Sequence, residues 1–141
     1  MKNVILSFLY LVILSCNNQE LVKNNAEQEV WHKNATIYEV NLRQFTEEGT
    51  FRAFLPHIER IHDLGIDILW FMPIHPIGEK NRKGVLGSYY SVKDYRGINP
   101  EFGTKEDFIA IIEKAHSLDM KVLMDWVANH TAFDHDWTEQ H

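Results

Sequence analysis

From Ala35 onward the apolar positions alternate between two rhythms. "ATIYEVNL" (35–42) reads as a strand. Phe51, Phe54, Leu55, Ile58, Ile61 and Leu64 then recur at helical spacing, and Gly65 stands where a helix C-terminus takes a left-handed residue. "IDILWFM" (66–72) is a nearly continuous apolar run, the pattern of a parallel strand buried on both faces, and its flanks make Trp70 a core residue. A second helix follows a long loop. Thr104 is its candidate N-cap with Asp107 three residues on, and Phe108, Ile111, Ile112, Ala115 and Leu118 form its stripe. "KVLMDWV" (121–127) closes the series as a third strand. Strand, helix, strand, helix, strand is the order of α/β folds with parallel strands.

The two helix–strand junctions resemble each other. "IERIHDLGIDIL" (58–69) aligns without gaps on "IEKAHSLDMKVL" (112–123), a self-similarity that fits a repeating strand–helix unit. The repeated His62 and His116 fall in the last turns of their helices, where the dipole or plain packing accounts for them. The loop from Pro73 to Gly103 holds five of the seven glycines and three tyrosines (89, 90, 95). A loop that long is functional or disordered, and its aromatic content argues for function. Chemistry in α/β folds sits at the carboxyl ends of the strands, where this loop and "DWVANH" (125–130) both fall.

The composition, 45% hydrophobic and 12% aromatic, suits a globular domain, and the formal net charge of −6 argues against nucleic acid as a partner. The N-terminus stands apart from the fold. One lysine precedes "VILSFLYLVIL" (4–14), which fits the apolar region of a secretory signal over residues 1–15. The single cysteine, Cys16, follows in "ILSC", which resembles a bacterial lipobox. That resemblance implies a lipid anchor on Cys16, a polar tether over 16–30, and a place in the bacterial cell envelope, at the outer membrane or cell surface.

Asp125 is costly to bury in an apolar strand unless paired, so it is either a satisfied structural carboxylate or a chemical group. Asn129 offers a carbonyl oxygen suited to Ca²⁺, or ordinary turn chemistry. His130 can donate a hydrogen bond to a ligand, or cap and pack. "HTAFDHD" (130–136) has spacing that matches no ordinary zinc site. The tyrosines and tryptophans of the loops, with polar neighbours, suit the faces and hydroxyls of sugar rings.

At this point the residues resemble glycoside hydrolase family 13, the α-amylase family, over about residues 31–141. "IYEVNLRQFTEEGTF" looks like its first barrel strand and first helix, "LGIDILWFMPIHPIG" like its second strand, and "GSYYSVKDYRGINPEFGT" like the loop that follows. "DWVANH" matches its D-x-V-x-N-H motif. The resemblance implies the first three strands and two helices of a (β/α)₈ TIM barrel, with retaining chemistry on α-glucans such as starch or maltooligosaccharides. It further implies that Asp125 is a structural aspartate at the active-site face, that Asn129 ligates a structural calcium, and that Tyr90 and His130 contact the sugar. "SYYS" departs from the family's more usual "SPYS", which leaves the aim of Tyr90 open.

Retaining glycosidases need two carboxyl groups about 5 Å apart. The family carries them after later strands, and no "GFR-x-D"-like segment occurs here. The expectation is therefore an N-terminal portion without catalytic carboxylates, inert and marginally stable by itself, because a complete barrel takes about 250 residues. The alternative expectations are a non-catalytic α-glucan-binding envelope lipoprotein or a nonfunctional remnant.

Overall fold

The computed structural model describes residues 31–139, and the signal, the tether and Cys16 lie outside the described residues. The chain divides into two compact units, residues 1–35 and 36–141. The first contributes one described 3-10 turn, Trp31–Asn34. The second carries the fold.

Its elements run β1 (Ile37–Val40), α1 (Leu42–Phe45), α2 (Phe51–Phe54), a 3-10 turn (Leu55–His57), α3 (Ile58–Asp63), β2 (Ile68–Phe71), α4 (Lys105–Ser117), β3 (Lys121–Met124) and α5 (Asp136–Glu139). The three strands form one sheet in the order β1-β2-β3, parallel throughout. Ile37 pairs with Ile68 and Ile68 with Lys121, while Glu39 pairs with Trp70 and Trp70 with Leu123.

One face of the sheet is covered. Leu69 and Phe71 of β2 are fully buried, together with Phe51, Phe54, Ile58, Ile61 and Ile111. Phe71 makes the centre of this layer, its ring edge-on to Phe54 at 5.3 Å and to Phe108 at 5.4 Å. Such pairs add about 0.5–1.5 kcal/mol each beyond simple burial. The other face is open in this chain: Ile37, Trp70 and Leu123 remain 52%, 37% and 46% exposed. This corrects the reading of Trp70 as a core residue. Alternation along β2 sends Leu69 and Phe71 to the helices, so Trp70 must take the opposite face.

The helices carry their signals with one change. The stripe over 51–64 is not a single helix, because Pro56 at the first turn of the 3-10 segment has no N–H to donate and splits it into α2 and α3. Leu64, at the end of the expected stripe, is exposed, and Gly65 closes the helix at φ +82°. In the second copy of the junction Asp119 takes the same left-handed conformation, at φ +58°. The N-terminus of α4 is a complete capping box. Thr104 Oγ1 accepts the Asp107 N–H at 3.2 Å, and Asp107 Oδ2 accepts the Thr104 N–H at 2.9 Å.

Candidate active-site face

All three strands point their carboxyl ends to one edge of the sheet, where residues 41–49, 73–103 and 125–135 gather. β3 ends at Met124, so Asp125 stands one residue beyond the strand rather than inside it. Its N–H still donates to Phe71 O at 2.9 Å, which extends the ladder and fixes where the carboxylate starts. The Tyr90 hydroxyl donates to Asp125 Oδ2 at 2.9 Å, joining the long loop to the end of β3. That hydrogen bond to the carboxylate, followed by partial burial, raises the Tyr90 phenol above its ordinary value. Asp125 is thereby a satisfied carboxylate at the mouth of the sheet.

Despite its second tyrosine, "SYYS" forms a tight turn. Ser91 N–H donates to Ser88 O at 3.0 Å, and Tyr90 N–H to Ser88 Oγ at 3.2 Å. The adjacent Tyr89 is anchored to the end of β1. Its hydroxyl donates to Asn41 Oδ1 at 2.6 Å, and the Arg43 guanidinium lies 4.4 Å from its ring centre. Arg43 also donates to Leu86 O at 3.3 Å and reaches Glu101 at 3.4 Å. Burial raises the Tyr89 phenol, with the Arg43 charge opposing. This clamp was missed in the sequence, where Asn41 read only as part of the first strand and Arg43 as part of the entry to the first helix.

Tyr95 holds the segment after β3. Its hydroxyl lies 2.6 Å from Val127 O and 2.8 Å from His130 O, and its single proton serves one of these carbonyls at a time. Its ring packs against Trp126, His135 and Trp137, so His135 is buried by aromatic contacts. Asn129 and His130 are exposed beside each other, Nδ2 to Nδ1 at 3.4 Å, and neither bonds directly to Tyr90 or Asp125.

Asp134 locks the loop's far end. Its Oδ2 accepts the N–H groups of Glu79 at 2.9 Å and Lys80 at 3.3 Å, with Lys93 Nζ at 3.5 Å. Burial pushes this carboxyl up, but the two N–H groups and Lys93 outweigh it and hold the group below its ordinary value. Gly78 is required at this junction, because a Cβ there would lie 2.4 Å from Ala132 Cβ and 2.5 Å from Asp134 Oδ1. Among the described residues no group of three His, Cys, Asp or Glu side chains could hold a metal ion. Ca²⁺ takes six to eight oxygens, so Asn129 by its single carbonyl does not compose such a site.

The arrangement offers an aromatic hydroxyl, a carboxylate and an imidazole on the rim of a parallel sheet, chemistry suited to a polyhydroxylated ligand. Comparison with known proteins points the same way. The family described as "Alpha amylase, catalytic domain" matches residues 19–141. Alpha-amylase 3 of Dictyoglomus thermophilum is 38% identical over 114 residues, 77% of this chain and 21% of that protein. Trehalose-6-phosphate hydrolase of Bacillus subtilis is 33% identical over 116 residues, 79% of this chain and 20% of its own length. The crystal structure of an alpha-amylase from Lactobacillus plantarum superposes with a TM-score of 0.74 at 54% identity, over 77% of this chain and 26% of that one. The three-stranded parallel sheet matches the N-terminal part of the barrel in such neighbours. The chain thus spans about a fifth to a quarter of the length of the proteins it matches.

Proposed function

The chain belongs to the alpha-amylase catalytic-domain family, and we propose that it forms the first part of the barrel of a glycoside hydrolase acting on α-glucans such as starch or maltooligosaccharides. In this reading Tyr90 and His130 contact one sugar unit, with Asp125 holding the tyrosine in place from the sheet edge. The observation that carries it is the 2.9 Å hydrogen bond from Tyr90 to Asp125, which sets an aromatic ring at the carboxyl ends of β2 and β3. The similarity to alpha-amylases over most of the chain supports the ligand class.

The bond-breaking carboxylates are not among this chain's residues in our reading. Asp134 is committed to the loop lock and Asp125 to Tyr90. The chain's contribution is then binding and orientation, and by itself it is inert. Asn129 supplies one oxygen ligand of a structural Ca²⁺, although the described residues hold no group of three His, Cys, Asp or Glu side chains around it. Cys16 carries a lipid that holds the protein at the bacterial envelope.

Titration of the full chain with maltotriose tests the reading. Saturable binding without release of reducing sugar is expected, and Tyr90→Ala should abolish it. Turnover by this chain would refute the assignment of the carboxylates elsewhere. Binding unchanged by Tyr90→Ala would refute the site.

A further inference from the structure

Tyr90 reaches the end of β3 through Asp125, but the turn that carries it is tied to the end of β1. Arg43, in α1, makes most of that tie. Its Nη2 donates to Leu86 O at 3.3 Å and its Nη1 to Gly87 O at 3.4 Å, while Nη2 also lies 3.4 Å from Glu101 Oε2. The guanidinium carbon stands 4.4 Å from the Tyr89 ring centre. Each hydrogen bond is long, so the hold comes from their number on one rigid, planar group, which a lysine does not reproduce.

These contacts fall directly before the sugar-site tyrosine. Gly87 is left-handed at φ +68° and turns the chain into Ser88, whose side chain and carbonyl close the turn around Tyr90. Tyr89 is held a second way. Its hydroxyl donates to Asn41 Oδ1 at 2.6 Å, and Asn41 Nδ2 donates in turn to Gln44 Oε1 at 3.1 Å. Residues 86–89 are thus fixed to the end of the first strand, and Tyr90 continues from there to Asp125 at the end of the third.

Arg43 is a poor choice for stability alone. Its side chain is only 17% exposed, and its Nε is buried without a hydrogen-bond partner among the described residues. A buried donor left unpaired is costly, and an apolar side chain would fill the space without that cost. What the position gains from a guanidinium is two fixed carbonyls and an oriented ring. We propose that Arg43 is a positioning residue for the sugar site, acting through Leu86, Gly87 and Tyr89 to hold the Tyr90 ring where Asp125 receives its hydroxyl. The proposal rests on the reading of Tyr90 as a sugar contact, and one arm of its test needs no sugar.

The test uses the full chain and two variants. Arg43→Lys keeps the charge, and Tyr89→Phe keeps the ring and removes only the hydroxyl on Asn41. The ligand-free readout is the Tyr90 phenol, raised above its ordinary value first by its bond to Asp125. A loosened turn weakens that bond, so the carbon-13 resonance of Tyr90 should titrate at lower pH in both variants. Maltotriose affinity should fall by about fivefold, as for one lost hydrogen bond. Adding Tyr90→Phe to Arg43→Lys should cost nothing further. Gly65→Ala, at the amino-terminal edge of the sheet, controls for general loss of stability and should leave the Tyr90 titration in place. A Tyr90 titration unmoved in both variants overturns the proposal, and so does an affinity loss that adds to that of Tyr90→Phe. Should Arg43→Lys fail to fold, Tyr89→Phe carries the same readouts. If the parent chain does not bind maltotriose, the sugar reading falls, and the Tyr90 titration still decides whether Arg43 positions the ring.

Discussion

Replacing Tyr90 by phenylalanine removes one hydroxyl and leaves the ring, so it isolates the contact that the proposed site depends on. The lost hydrogen bond runs to Asp125 Oδ2 at 2.9 Å. A bond to a charged acceptor is worth about 1.5–3 kcal/mol when shielded from water. Tyr90 is 37% exposed, so solvent and salt reduce this to about 1 kcal/mol. That is about fivefold in an equilibrium constant. If the bond serves to hold the ring ready for a sugar, Tyr90→Phe should weaken maltotriose binding by about that factor.

Asp125→Asn keeps an acceptor oxygen and removes the charge, so it should cost a similar amount. The double substitution should cost no more than either single one, a coupling of about 1 kcal/mol by calorimetric titration. A ligand-free readout accompanies the cycle. The Tyr90 phenol is held above 10.0 by its bond to Asp125 and by burial, so in Asp125→Asn its carbon-13 resonance should titrate at lower pH. Additive single effects, or a Tyr90 titration unmoved by Asp125→Asn, would refute the idea that the carboxylate positions the ring.

Phe71→Ala should cost about 3–5 kcal/mol, because a fully buried ring touching Phe54 and Phe108 leaves a cavity at the centre of the sheet; in a marginally stable chain that abolishes the cooperative urea transition, and a transition kept within about 1 kcal/mol of the parent's would contradict that packing. Gly65→Ala tests the helix end. A Cβ there meets nothing within 4 Å, so the expected loss of about 1 kcal/mol comes from the left-handed backbone at φ +82° and not from a clash. The Arg52 side chain, then the Thr104 N–H, hold the Asp107 carboxyl below its ordinary 3.8. The folded value is the lower one, so this stabilisation is whole above pH 3.8 and is lost as pH falls through the folded value. Asp107→Asn should flatten the acid limb of a melting-temperature profile, and an unchanged limb would remove Asp107 from the account.

The elements of this protein were written locally. Thr104 and Asp107 are three residues apart and cap their helix without help from elsewhere. Gly65 and Asp119 end equivalent helices in the left-handed conformation, which the repeated junction placed at matching positions. Period-3.6 stripes and short apolar runs then sufficed for the strand–helix order, and four matching segments for the family. The candidate site residues Tyr90, Asp125, Asn129 and His130 were legible as motif positions, but their contacts were not.

Tertiary structure decided what depends on residues far apart in the chain. Trp70 lies on the open face of the sheet, because which face of a strand is buried is fixed by the helices that cover Leu69 and Phe71. A proline that a helical stripe tolerates on paper split the first helix, since the missing N–H matters only once the segment is packed. The Tyr90 hydroxyl found its partner in Asp125, 35 residues on. Tyr89 was tied to Asn41 across 48 residues, and Asp134 to the Glu79 N–H across 55. Single-residue patterns carry propensity and periodicity; they carry no distance between two loops, and only the folded carboxyl edge of the sheet supplied it.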